Sequence, residues 1–274
     1  MTTIAIIQAR IASSRLPGKV LKTLGDMPVL ARVVRAAKTI RTVDKVIVAT
    51  STNSADDAIE TWCSANGVAY YRGSEDDVLQ RLCDVAVNDN ADVVLRLTAD
   101  CPLIDPLVCE QVLALLQRTN ADYACNTDPP TWPDGLDCWA VTRSALERAG
   151  REATRPSDRE HVLSFIRNHR DAFQCESLRC PLPDLAAERW TLDTPKDFEF
   201  LSALVDQLPS DIEAPGYLEI LRALDRAPEL RKINADSQRN EGFDKSLAEE
   251  GLMRAETFEA SGRALERALE VIPL

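Results

Sequence analysis

The chain has 274 residues, 45 % of them apolar, and a formal charge of −12. That length suffices for one large α/β domain with an appendage and a sizeable core. The acidic balance argues against a nucleic-acid partner, whose phosphates demand a basic face, and the lack of a signal-peptide pattern or long apolar span predicts a soluble, cytoplasmic protein with no membrane partner.

Residues 4–7 (Ile-Ala-Ile-Ile) are a continuous apolar run, as in a strand buried on both faces. Val29, Leu30, Val33, Val34 and Ala37 repeat with helical period. Residues 45–50 read as a second strand, and 56–66 as a helix stopped by Gly67. Residues 68–71 read as a third strand, 77–88 as a helix and 92–97 as a fourth strand. This βαβα rhythm predicts an α/β fold: a doubly wound, mostly parallel sheet with helices on both faces. A ligand then belongs beyond the strand ends, where residues 8–19, 50–53, 72–74 and 98–102 converge.

From Asp122 the texture changes. Residues 128–135 read as a Pro-, Asp- and Gly-rich loop, 159–168 as a helix and 189–192 as a strand, and Thr194-Pro195 opens another helix. A compositional shift after residue 233 divides the chain into a core domain over 1–233 and a tail over 234–274. Residues 252–271 have the period of an amphipathic helix that packs on the domain or on a second subunit. The eight cysteines form no Cys-x-x-Cys pair, and His161 and His169 are the two histidines. Zinc-ligand spacing is therefore missing, and most of the cysteines read as small buried hydrophobes of a reducing compartment.

Residues 7–19, Ile-Gln-Ala-Arg-Ile-Ala-Ser-Ser-Arg-Leu-Pro-Gly-Lys, carry the strongest chemical signal. Arg10, Arg15 and Lys19 lie on a loop of small residues just past the first strand. Small residues admit phosphate to backbone N–H groups and cations neutralise it, so a triphosphate is the natural guest. The spacing is neither a Walker loop nor a Gly-x-Gly-x-x-Gly fingerprint. The cations alone favour a solvated basic loop.

Asp100, in Arg-Leu-Thr-Ala-Asp-Cys-Pro-Leu-Ile (96–104), and Asp193, in Trp-Thr-Leu-Asp-Thr-Pro-Lys-Asp (190–197), each follow a strand and precede a helix. Each can be a helix cap, and each can offer oxygen to magnesium, which takes one or two carboxylates plus phosphates. Arg72-Gly73-Ser74 joins a strand to a helix. Its Arg can reach a base edge or a phosphate, and Ser74 can cap the helix, with Asp77 closing a capping box. Thr50, Ser51 and Asn53 border the same cleft. Asp134 and Asp137 sit on a turn, and Arg159-Glu160-His161 sets an Arg near a His, a pattern that suits an anionic acceptor as well as a helix surface.

Over about residues 3–200, the order and spacing of these segments resemble the cytidylyltransferases that make CMP-activated acidic sugars. The likeness is particular to the branch containing spore coat polysaccharide biosynthesis protein F. The resemblance implies a nucleotide site of Gln8, Ala9, Arg10, Arg15, Lys19, Thr50, Arg72, Ser74 and Asp100, in which Arg72 reads cytosine. Arg10, Arg15, Lys19 and Asp100 are the implied catalytic set, with Asp100 and Asp193 as magnesium ligands and Asp197 behind them. Asp134, Asp137, Arg159, Glu160 and His161 line the implied acceptor pocket.

The implied reaction moves CMP from CTP to a small anionic acceptor, in a homodimer, with Mg2+ as cofactor and pyrophosphate as leaving group. That acceptor is an acidic sugar, a related acid or a phosphorylated compound. Ala99-Asp100-Cys101 and the lack of full acceptor-binding insertions set the chain apart from the sialic-acid and KDO enzymes and leave the acceptor open. A nucleotidyltransferase using another NTP and a sugar 1-phosphate, and a nucleotide-sugar-dependent glycosyltransferase, share the architecture. The Arg-x4-Arg-x3-Lys loop favours a triphosphate over the diphosphate sugar a glycosyltransferase uses. Residues 261–274 resemble the opening of class III aminotransferases of the glutamate-1-semialdehyde type, which implies fusion to or partnership with such an enzyme.

Overall fold

The computed structural model describes residues 1–183, 185–209, 212–237, 239 and 248, together with the backbone of Leu252–Arg254 and Val271–Pro273. Strand β1 (Thr3–Gln8) is followed by a small hairpin of β2 (Thr23–Leu24) and β3 (Met27–Pro28), then by helix α1 (Val29–Lys38). The βα alternation continues through β4 (Lys45–Ser51), α2 (Asp57–Ala65), β5 (Ala69–Gly73), α3 (Val78–Asn88), β6 (Val93–Thr98) and α4 (Pro106–Thr119). Next come β7 (Tyr123–Cys125), β8 (Trp139–Thr142), α5 (Arg143–Glu152), the short helices α6 (Pro156–Glu160) and α7 (Ser164–Asn168), and β9 (Cys175–Ser177). Helices α8 (Pro195–Val205) and α9 (Tyr217–Arg226) close the domain.

The main sheet has the order β5-β4-β1-β6-β8-β7-β9. Strands β5, β4, β1 and β6 run parallel, and β8 runs antiparallel to both β6 and β7. Alternate residues of β1 enter two cores. Ala5 and Ile7 pack with α1, α4, α8 and α9, and Ile4 and Ile6 pack with α3 and α5. Burial on both faces explains why this strand reads as an unbroken apolar run. Chain order reverses at β1, so the sheet presents its switch point beyond Gln8 and Thr98.

Several expectations shift. The helix expected over 159–168 is two short helices, because Val162 takes a left-handed backbone (φ 62°) that a helix cannot contain. Residues 189–192 form no strand; Arg189 makes an isolated bridge with Asp134. Asp100 is not a helix cap. The next helix starts at Pro106, where Asp105 accepts from Leu107 N (2.8 Å) and Val108 N (3.3 Å). Thr194, not Asp193, caps α8, in a capping box with Asp197.

The expected boundary after residue 233 cuts through contacts. Asn234 is buried and donates to Arg189 O (3.1 Å) and Asp197 Oδ1 (3.0 Å), and Arg239 donates to Trp132 O (2.9 Å). Leu252–Arg254 and Val271–Pro273 pair as an antiparallel ladder rather than as the ends of a helix. The rest of the expected tail helix, and the aminotransferase-like stretch up to 270, lie outside the described residues. No helix among the described residues is long and apolar enough to cross a membrane. All eight cysteines are unpaired, and six are buried.

Candidate active site

The loop after β1 is held at both ends. Ala9 N continues the ladder to Ala49 O (3.1 Å), Ile11 N donates to Asp56 Oδ1 (2.7 Å), and Gly18 N donates to Ile11 O (3.0 Å). Asp56 is buried and also accepts from Ser51. Gly18 has φ 69°, which turns the chain into the single turn Lys19–Leu21. The loop thereby borders a cleft of about 460 Å³ with Arg10, Arg15 and Lys19 on its wall.

Across the cleft, main-chain bonds tie the two aspartate-bearing segments together. Leu192 N donates to Asp100 O at 2.8 Å, and Thr191 Oγ1 to the same carbonyl at 3.3 Å. Asp100 and Asp193 are brought to one point, and Lys19 Nζ lies there, 2.7 Å from a carboxylate oxygen of each and 2.8 Å from Leu192 O. Burial alone raises the Asp100 carboxyl, but the Lys19 ammonium outweighs it and holds the group at about 2. Lys19 in turn is raised above its ordinary value despite its burial, because both carboxylates favour its charged form. Arg15 approaches Asp193 at 3.2 Å, and Arg10 approaches Glu160 at 4.0 Å.

Behind this pair lies Arg189, with 8 % of its surface exposed. It donates to Asp134 (2.6 Å), Asp193 (3.2 Å) and both oxygens of Asp197 (2.9 and 3.0 Å). Asp197 is fully buried and also accepts from Asp193 N and Thr194 N at 3.0 and 2.9 Å. Burial would raise this carboxyl, and its bonds to Arg189 and Asn234 lower it. Asp197 thus fixes the backbone that carries Asp193.

The far wall holds Asp134, Asp137 and His161. Gly135 (φ 112°) lets this loop lie main chain to main chain on residues 189–191; a Cβ there would meet the Trp190 carbonyl carbon at 2.5 Å. Asp134 N donates to Glu188 O (2.9 Å), and Trp190 N to Asp134 O (2.6 Å). Burial, with Asp134 and Asp100 nearby, pushes the Asp137 carboxyl up to about 7 even though Arg239 Nη2 donates to it at 2.6 Å.

Residues 4–241 match the family model Cytidylyltransferase. The chain belongs to the cytidylyltransferase family. It is similar to spore coat polysaccharide biosynthesis protein SpsF of Bacillus subtilis, 33 % identical over 232 residues that span 82 % of this chain and 94 % of the relative. It is 35 % identical over 166 residues to a 3-deoxy-manno-octulosonate cytidylyltransferase of Acinetobacter baumannii, covering 57 % of this chain and 64 % of that protein. Among solved structures, a cytidylyltransferase from Leptospira borgpetersenii superposes with a TM-score of 0.79 at 29 % identity, covering 84 % of this chain and 96 % of that one. The nucleotidyltransferase-type sheet and the enzyme class are thereby those expected from the sequence.

Within this cytidylyltransferase, the cleft gathers Gln8, Arg10, Arg15, Lys19, Asp100 and Asp193, with Asp134, Asp137 and His161 opposite. Other expected residues stand elsewhere. Ala9 is buried in the sheet. Thr50 is fully buried under the strand end and does not reach the cleft. Arg72 is tied to α2, at 2.5 Å from Glu60 and 2.7 Å from Asp57, with Nε donating to Ser51 O at 2.8 Å, so it is not a wall of the cleft. Asn53 caps the turn before α2. Ser74 Oγ accepts from Asp77 N (3.0 Å), while Asp77 itself caps α3 by accepting from Gln80 N (2.9 Å). Arg159 pairs with Asp77 and donates to Gly150 O (2.6 Å), leaving Glu160 at the rim beside Arg10. Arg96, Arg189 and Arg239 were not expected. A cation inside the apolar strand over residues 93–98 was the available signal for Arg96, and the i, i+4 spacing of Arg189 and Asp193 was a weaker one.

Proposed function

We propose that this cytidylyltransferase transfers CMP from CTP to a small acidic acceptor, with magnesium, and releases pyrophosphate. The observation that carries the proposal is the convergence of Asp100 and Asp193 on one positive charge, 2.7 Å from each, at the carboxyl ends of β1 and β6. A pair of carboxylates beside a triphosphate-sized cleft is the donor set magnesium takes, the phosphates and water supplying the remaining oxygens. Asp100 and Asp193 would hold the ion, which neutralises charge on phosphate oxygens when bound.

Arg10 and Arg15 reach the cleft from the loop and suit the triphosphate oxygens. The acceptor hydroxyl oxygen bonds to the α-phosphorus, the bond from that phosphorus to the bridging oxygen breaks, and pyrophosphate leaves with the electron pair. Asp137, with a carboxyl near neutrality, suits the removal of the hydroxyl proton. The remainder of the rate comes from positioning and preset charge. The names of the Bacillus and Acinetobacter relatives support a sugar acid destined for a surface polysaccharide as the acceptor.

The test is pyrophosphate release from CTP, UTP, ATP and GTP in magnesium, each with a panel of sugar acids and sugar phosphates. Release from CTP with a sugar acid is the expected result. Release confined to another triphosphate, or turnover of nucleotide sugars without pyrophosphate, overturns the proposal.

A further inference from the structure

A smaller cavity of about 180 Å³ adjoins the cleft and shares Arg96, Asp137 and His161 with it. Arg167 and Arg239 also line it, so three arginines and one aspartate line the cavity. The volume suits an anionic substituent rather than a nucleotide.

Arg96 is the unusual member of this group. It projects from β6, whose other residues are apolar apart from Thr98 at its end, and is 92 % buried. Its hydrogen bond among the described residues runs from Nη2 to Gln8 Oε1 at 2.7 Å, and its guanidinium stacks 4.5 Å from the Trp139 ring centre. Its Nε–H is buried with no hydrogen-bond partner among the described residues. Arg239 differs, because Asp137 already meets its charge at 2.6 Å. Burial without a paired carboxylate lowers the Arg96 guanidinium to about 10. A buried N–H left unmade and a buried charge left unpaired both cost stability, and a neutral side chain in this place would avoid the cost.

We infer that Arg96, which lines both the cleft and the smaller cavity, binds an oxyanion of the acceptor. This rests on the reading of the chain as a CMP transferase to an acidic acceptor. Gln8 and Trp139 are then positioning residues that hold the guanidinium plane. The oxyanion is the carboxylate of a sugar acid or the phosphate of a phosphorylated acceptor, since both accept paired N–H bonds from arginine.

Full-length protein labelled with 15N-arginine provides the test, because the Nε–H resonance lost in Arg96→Lys belongs to Arg96. The probes are 3-deoxy-manno-octulosonate, its carboxamide and glucose 1-phosphate. The expected result is a shift of that resonance by the acid and none by the carboxamide. A shift by glucose 1-phosphate instead supports the oxyanion site and identifies phosphate as its source. No shift with any probe, or equal shifts with acid and carboxamide, overturns the inference.

In turnover, Arg96→Lys and Arg96→Met raise the acceptor KM by about tenfold or more, with kcat altered less and the CTP Kd held within about twofold. An equal loss of CTP affinity, or a loss confined to kcat, also overturns it. Arg96→Lys keeps the charge and carries the test where Arg96→Met does not fold. Wild-type protein that releases no pyrophosphate with any acceptor defeats the CMP-transfer reading, while the resonance titration still decides the role of Arg96.

Discussion

Replacing Lys19 by methionine keeps most of the side-chain volume and removes the ammonium between Asp100 and Asp193. The Lys19 side chain is 10 % exposed, against 29 % for Asp100 and 24 % for Asp193. Breaking a fully buried pair costs about 3–5 kcal/mol, and an exposed one about 0–1 kcal/mol. Carboxylates with this partial exposure fall between those limits, at about 2–3 kcal/mol, or about 4–12 °C of melting temperature in a domain of this size. The pH dependence has a defined sign. Asp100, held at about 2 against an ordinary 3.8, stabilises the fold fully above its unfolded value, and the contribution fades as pH falls toward 2. Lys19, raised above 10.5, contributes until pH climbs past its folded value. Urea midpoints should therefore show a constant gap between wild type and Lys19→Met from about pH 5 to about pH 9, closing below about pH 4. Magnesium chloride should narrow the gap at neutral pH by replacing the missing charge. A gap below about 1 kcal/mol at pH 7, or one that magnesium widens, refutes the arrangement.

Asp100→Asn and Asp193→Asn should each lower pyrophosphate release by about a hundredfold or more while circular dichroism stays native, since shape is kept and ligand charge is lost. Arg72→Ala should leave the CTP Kd within about twofold by calorimetry, because its guanidinium is engaged with Asp57, Glu60 and Ser51 O outside the cleft. Asp137, raised to about 7, binds a proton more tightly folded than unfolded, so stability should fall as pH rises from about 4 to about 7. Asp137→Asn should flatten that slope in urea midpoints. A chain ended at residue 241 should keep the wild-type melting temperature, and one ended at 233 should lose several degrees with the contacts of Asn234 and Arg239.

The parts of the fold that were legible in the sequence are those buried on two faces. β1, β4 and β6 read directly as apolar runs, and the loop after β1 follows from where such a sheet binds its ligand. Asp100 and Asp193 were legible as strand-end carboxylates, although the capping alternative was settled by Asp105 and Thr194. Arg72 stands at a strand end as read, but which way its side chain turns was not legible; in this structure it turns to the acidic first turn of α2. Arg239 could not be read, since its partner Asp137 lies 102 residues away, and Arg189 carried only the weak i, i+4 signal of Asp193 because its partner Asp134 lies 55 residues away. The break at Val162 was hidden by a β-branched residue in a backbone region such residues seldom enter.

The contact at Gly135 constrains how this enzyme can diverge. The loop bearing Asp134 and Asp137 lies backbone on backbone against the segment that leads to Asp193, with no room for a side chain between them. An insertion or shift in that loop would drag Asp193 with it and disturb the end of the cleft where Asp100, Asp193 and Lys19 meet. A lineage acquiring a new acceptor therefore has to do so by exchanging side chains on other elements, such as β8 and α7, while the 134–135 and 188–190 segments drift as one inherited block.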